Sequence, residues 1–199
     1  MSREYKFYRF AYRVLLIPFY LIFRLKITGR ENIPKGGAMI CSPHSSLLDP
    51  IFVAFGLGID NHVHFMAKKE LFSNKLLSKI IYKLGSFSVD RSTNDVGAIK
   101  NAMQYLKSGE KVGIFPEGTR VTEDDSVAAK SGAVKIADKT RVPVVPVYLQ
   151  RKKRAFGRVH IVIGQPYYVN PDKTRMTNEQ YQLKADELMD KIKRLGLEA

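Results

Sequence analysis

Apolar and polar positions along this chain change their spacing repeatedly, and each change predicts an element. Short apolar runs bounded by Gly, Pro or charge predict strands at 38–42, 63–67, 86–89, 111–115, 142–149 and 159–164. Helical spacing predicts a helix after Pro50 and others over 72–84, 96–107, 128–139 and 178–195. In the last of these, Tyr181, Ala185, Leu188, Ile192 and Leu195 fall on one stripe. The alternation predicts a single α/β domain with a largely parallel or mixed central sheet flanked by helices.

Residues 5–26, YKFYRFAYRVLLIPFYLIFRLK, interrupt that alternation. They are aromatic and apolar, with Lys6, Arg9 and Arg13 at helical spacing; from Val14 to Phe23 they carry no charge, and Pro18 lies inside that run. Ten helical residues reach about 15 Å, half of the ~30 Å hydrocarbon core of a bilayer. No small-x-small cleavage site follows. The segment reads as an interfacial or re-entrant helix, its rings among acyl chains and its cations at anionic headgroups. The plainer reading is a first helix packed on the core with a solvated basic stripe. Residues 1–27 are thus expected to be a membrane-associating segment, and 28–199 the α/β domain.

Composition narrows the partners. Thirty-three Lys and Arg against 19 Asp and Glu leave a net charge of +14, which attracts nucleic acid, anionic lipid, phosphorylated small molecules or an acidic protein. The single cysteine excludes an internal disulfide framework, and no CxxC or HExxH suggests a metal. The pair His62-x-His64 lacks a third ligand nearby and reads as one face of a strand.

The stretch PHSSLLDP, 43–50, sits where a predicted strand hands over to a helix. Open α/β sheets keep their chemistry at such junctions. Asp49 either caps the helix or lies in its first turn; in both cases His44 is outside it, in a loop that lets a carboxylate reach one ring nitrogen. An imidazole so oriented is a general base. A loop histidine beside a capping aspartate is the plainer reading. No G-x-S-x-G elbow supplies a serine nucleophile, and Cys41 reads as a small buried hydrophobe, so the proton belongs to a bound hydroxyl.

Three further stretches place charge beyond predicted strands. KVGIFPEGTR, 111–120, ends in a turn whose Gly118 allows close backbone approach and whose Arg120 offers a planar fork for phosphate. MAKKEL carries Lys68 and Lys69, and GSFSVDR carries Arg91. These cations are expected on one edge of the sheet. RKKR at 151–154 fits a phosphate-contacting loop of a nucleic-acid-binding protein, the main non-enzyme reading, or a lipid-contacting one.

In order and spacing these stretches resemble the 1-acylglycerol-3-phosphate acyltransferases, from about Ala38 to Pro146. The marks are H-x4-D at His44 and Asp49, A-K-x-E-L at 67–71, V-D-R at 89–91, F-P-E-G-T-R at 115–120, K-x-G-A at 130–133 and V-P-V-x-P-V at 142–147. Pro43 stands where members often have Asn, Val121 stands where Ser is common, and the segment after Arg120 is short and acidic at Glu123, Asp124 and Asp125. The resemblance implies an acyltransferase domain at 28–199 in which His44, oriented by Asp49, takes the proton of the 2-hydroxyl of lysophosphatidate. That oxygen would attack an acyl thioester of CoA or acyl-carrier protein directly. It implies that Glu117 organises the site by pairing with a cation and that backbone N–H groups near Glu117 and Gly118 meet the oxyanion. Lys68, Arg91 and Arg120 would hold the phosphate. It further implies no metal and no bound cofactor. A nucleic-acid partner, which would explain neither the apolar N-terminus nor H-x4-D, is not expected. The cytoplasmic face of the cell membrane is expected from where thioester donors occur.

Overall fold

The computed structural model describes residues 3–93, 95–121 and 127–197. The acidic segment at 123–125 lies outside them. Strand β2 (Ala38–Cys41) is buried throughout, which explains an apolar sequence without polar alternation. Ala38 and Ile40 face one layer, Met39 and Cys41 the other. Burial pushes the Cys41 thiol far up, so this residue acts as a core hydrophobe.

β2 lies between β5 (Lys111–Ile114) and β6 (Val144–Leu149), parallel to both. β3 (Val63–Lys68) follows β5, and β4 (Phe87–Val89) follows β3, again in parallel. On the other side β7 (Arg158–Ile163) pairs antiparallel with β6. Beyond it β1 (Arg24–Thr28) runs parallel to β7. The order among the described residues is β1-β7-β6-β2-β5-β3-β4, a mixed sheet. Five strands, β6, β2, β5, β3 and β4, run one way, so their carboxyl ends share an edge.

Helices α1 (Arg3–Ile22) and α2 (Asp49–Leu57) cover one face of the sheet. The other face carries α4 (Val96–Lys107), α5 (Gly132–Thr140) and α6 (Asn178–Leu197). The α6 stripe buries Ala185, Leu188 and Ile192, joined by Met189. The helix expected over 72–84 divides, because Asn74 accepts from the N–H groups of Leu76 and Leu77 and starts α3 (Lys75–Lys83) after a separate turn at Lys69–Phe72. The helix expected from 128 begins at Gly132. The Lys130 N–H donates to Pro116 O at 2.8 Å, which draws the preceding residues onto the 116–120 turn.

The N-terminal boundary requires correction. The sheet begins at Arg24, inside the stretch assigned to the membrane segment, because RLKIT alternates exposed and half-buried positions and pairs with β7. Helix α1 also passes through Pro18, which is exposed. One face of α1 belongs to the core: Tyr8, Tyr12 and Phe19 are buried, and Phe19 meets Phe52 and Phe55 edge-on at 5.2 and 5.1 Å. Tyr8 lies 4.3 Å from His62, whose Nε2 bonds Leu84 O at 2.8 Å. His64 Nδ1 bonds Gly85 O at 2.7 Å, so both β3 rings are committed to backbone carbonyls. The opposite face of α1 exposes Phe10, Val14, Ile17 and Leu21 at helical spacing. Among the described residues, no helix is long and apolar enough to cross a membrane.

Candidate active site

From Cys41 the chain crosses the carboxyl edge of β2 through Ser42 and Pro43 to His44. The Asp49 N–H donates to Ser46 O at 3.1 Å, so the chain turns before α2 and Asp49 falls in the first helical turn, with Leu48 at the cap position. The Asp49 side chain therefore points back along the loop. Its Oδ2 accepts the backbone N–H groups of Ser45 and Ser46 at 2.6 and 2.7 Å and lies 3.0 Å from His44 Nδ1. A carboxylate only accepts, so Nδ1 donates, and in the neutral ring it is Nε2 that presents the lone pair. The ring is mostly buried and stacks on Phe115, centroids 4.2 Å apart.

A fourth group reaches Asp49. Lys153 places Nζ 2.7 Å from Oδ1, with its side chain 6% exposed and that of Asp49 fully buried. Burial works to raise the Asp49 carboxyl. Hydrogen bonds from His44, Lys153 and Ser46 outweigh it and hold the group below the usual carboxylate range. The hydroxyls around His44 are occupied: Ser45 Oγ donates to Arg151 O at 3.0 Å and accepts from Lys153 at 2.9 Å, and Ser46 Oγ accepts from Leu48 N–H at 3.2 Å.

Glu117, 2% exposed, stands at the carboxyl end of β5 beside β2. One carboxylate oxygen accepts the His44 N–H at 2.7 Å, and the other pairs with the Arg151 guanidinium. Arg151 also donates to Val121 O at 2.8 Å, while Val121 N–H donates to His44 O at 2.7 Å. The backbone of His44 is thus held on both sides by the segment 117–121. Gly118 adopts φ +68°, and a Cβ there would come 2.9 Å from Lys130 Cε. Its N–H closes the turn onto Phe115 O at 3.0 Å.

The predicted cations do share the carboxyl edge, but unequally. A cleft of about 440 Å³ opens between α4, α5 and the ends of β3, β4 and β5. Met66, Val89, Ile99 and Ile114 form its apolar floor, and Arg91 and Lys130 stand on its rim. Arg91 Nη1 donates to Gly118 O at 2.6 Å, and burial lowers its guanidinium. Phe115 and Gly118 line the cleft while Phe115 also stacks on His44, so one turn separates the imidazole from the cleft. Lys68 and Arg120 are exposed and do not line it; Lys68 pairs with Glu70 at 3.3 Å. Lys69 is taken by Asp90 at 2.5 Å, which holds that carboxyl at about 2.

Sequence reasoning missed Arg151 and Lys153, both in the loop after β6. The criterion that found Lys68 and Arg91, cations just past a strand end, finds these too when applied to β6.

With the Ser45 and Ser46 hydroxyls hydrogen-bonded and the Cys41 thiol buried in the core, His44 presents an imidazole without a protein nucleophile beside it, at the carboxyl edge of a mixed sheet. An aspartate-oriented imidazole at such an edge is the arrangement by which α/β enzymes can deprotonate a bound group. Residues 24–150 match the acyltransferase family model, and the chain belongs to that family. The 1-acyl-sn-glycerol-3-phosphate acyltransferase of Bacillus subtilis is 35% identical over 194 residues, covering 94% of this chain and 96% of that protein. The enzyme of the same name from Streptococcus pneumoniae is 31% identical over 166 residues, 80% of this chain and 61% of its own length. Among solved structures, the Thermotoga maritima 1-acyl-sn-glycerophosphate acyltransferase PlsC superposes with a TM-score of 0.68 at 26% identity, over 97% of this chain and 78% of that one.

Proposed function

We propose that the protein transfers an acyl group from an acyl thioester to the 2-hydroxyl of 1-acylglycerol-3-phosphate, giving phosphatidate. The observation that carries this reading is the His44 imidazole held through Nδ1 by Asp49 at 3.0 Å, one turn away from a cationic cleft. His44 takes the hydroxyl proton as the oxygen attacks the thioester carbonyl; the C–S bond breaks and the thiol leaves with a proton. Arg91 binds the phosphate, with Lys130 beside it and the α5 N-terminus favouring negative charge. Arg120 and Lys68 complete the binding from the open side of the same edge. Glu117 organises the site through Arg151 and His44. The donor is acyl-CoA or acyl-carrier protein, both acidic and suited to a chain of net charge +14.

The test is an assay of the purified protein with labelled acyl thioesters and lysophosphatidate, glycerol-3-phosphate or a neutral lysolipid. Phosphatidate formation from lysophosphatidate alone is the expected result; acylation of glycerol-3-phosphate alone would displace the reading. Arg120→Lys keeps the charge and loses the fork, so lysophosphatidate use should fall by roughly tenfold while the neutral lysolipid is spared. An equal loss with both would make Arg120 structural.

The same reading places the protein on the cytoplasmic face of the cell membrane, where thioester donors occur. Phe10, Val14, Ile17 and Leu21 enter the acyl region, and Arg13 and Lys6 meet anionic headgroups. Phe19 and Phe23 pack on Phe52 of α2, the helix that carries Asp49, so the apolar stripe leads toward the catalytic end. Ile17→Glu with Leu21→Glu should abolish flotation with anionic vesicles while leaving the melt unchanged, because both side chains are exposed. Unchanged flotation would place the lipid contact elsewhere.

A further inference from the structure

We infer that Lys153 is a positioning residue that sets the pH range in which His44 works, by offsetting the charge of Asp49 from the oxygen opposite the imidazole. The inference rests on the reading of His44 as base.

A lone buried carboxylate against an imidazole favours the imidazolium, which cannot accept a proton. Asp49 is fully buried, so water does little to screen it. Here imidazole and ammonium share that carboxylate on its two oxygens, Nδ1 at 3.0 Å from Oδ2 and Nζ at 2.7 Å from Oδ1. The Lys153 ammonium is fixed as well by Ser45 Oγ at 2.9 Å and Arg151 O at 3.3 Å, and it lies 5.7 Å above the Phe52 ring. A lysine 6% exposed is not a solvated surface charge.

Among the described residues, the remaining charges around His44 do not reach Asp49. Glu117, bonded to the His44 N–H, is paired with Arg151. Arg91 and Lys130 lie across the Gly118 turn, and Arg120 is exposed next to Val121. With Lys153 present, the carboxylate facing the imidazole is neutralised. Without it, Asp49 presents a full negative charge in a buried site. A lysine that merely anchored the loop after β6 would lower the rate equally at every pH.

The experiment uses the full chain with anionic vesicles and measures kcat/KM against pH for wild type, Lys153→Met, Lys153→Gln and Lys153→Arg. The neutral variants should move the acidic limb to higher pH by roughly one unit or more, the size expected of a unit charge on the far oxygen of a shared, buried carboxylate. Lys153→Arg should leave the limb in place, and the loss in the neutral variants should be far smaller on the alkaline plateau. In parallel, the His44 ring is titrated by NMR, assigned with His44→Gln, and should move with the limb. That readout needs no turnover. Active His44→Gln would therefore overturn the base, while an unmoved ring titration would overturn the role of Lys153 alone. A limb unmoved in the neutral variants, or moved equally in Lys153→Arg, would overturn it. So would failure of both neutral variants to fold while Lys153→Arg folds, since Lys153 would then hold the loop only.

Discussion

In the His44→Ala protein, acyl transfer to lysophosphatidate is expected to fall at least roughly 10²–10⁴-fold in kcat, about 3–5 kcal/mol on the barrier. The fold should survive. Asp49 loses one partner but keeps the N–H groups of Ser45 and Ser46 and the Lys153 ammonium, so no buried charge is stranded. The ring also stacks on Phe115, so alanine leaves a gap; His44→Gln fills more of it and should lose as much rate. Steady-state assays beside thermal melts separate the two effects. Near-normal turnover in either folded variant would remove His44 as the base. Asp49→Asn is a less clean probe, because its NH₂ would face either Lys153 or the donors on Oδ2, and stability would fall together with rate.

What sequence made legible follows from how local each signal was. β2 was readable because a strand buried on both faces is a continuous apolar run, and the edge position of His44 followed from it. The contact between His44 and Asp49 was readable from a strand-to-helix junction, although only the structure shows that the Ser46–Asp49 turn puts Asp49 in the first helical turn. β1 was hidden because RLKIT continues the basic, apolar composition of α1, and its partner β7 lies more than 130 residues away. The two faces of α1 were hidden for a related reason. Apolar residues all round a helix do not reveal which stripe meets Phe52 and Phe55 and which stays open. The loop RKKR failed differently. Its charge was evident, but two of its cations turn inward to neutralise Asp49 and Glu117, and that depends on the order β6-β2-β5, a non-local fact.

Loss of Arg151 should then be strongly destabilising. Glu117 is 2% exposed, and the side chain of its partner Arg151 is 11% exposed. Exchanging such a pair for apolar groups is often nearly neutral, whereas removing one partner strands the other charge at a cost of about 3–5 kcal/mol. Against a total stability of roughly 5–15 kcal/mol, that is a large fraction, and it should lower the melting temperature of Arg151→Met on the order of 10 °C. Glu117→Gln with Arg151→Met should recover most of the loss, since the amide oxygen still accepts the His44 N–H and no charge is left unpaired. The measurement is a double-mutant cycle by urea denaturation, with Glu117→Gln as the fourth corner. A coupling near zero, with Arg151→Met melting close to wild type, would mean that water reaches Glu117. The clamp on His44 would then have to rest on the Val121 bond and the Phe115 stack instead.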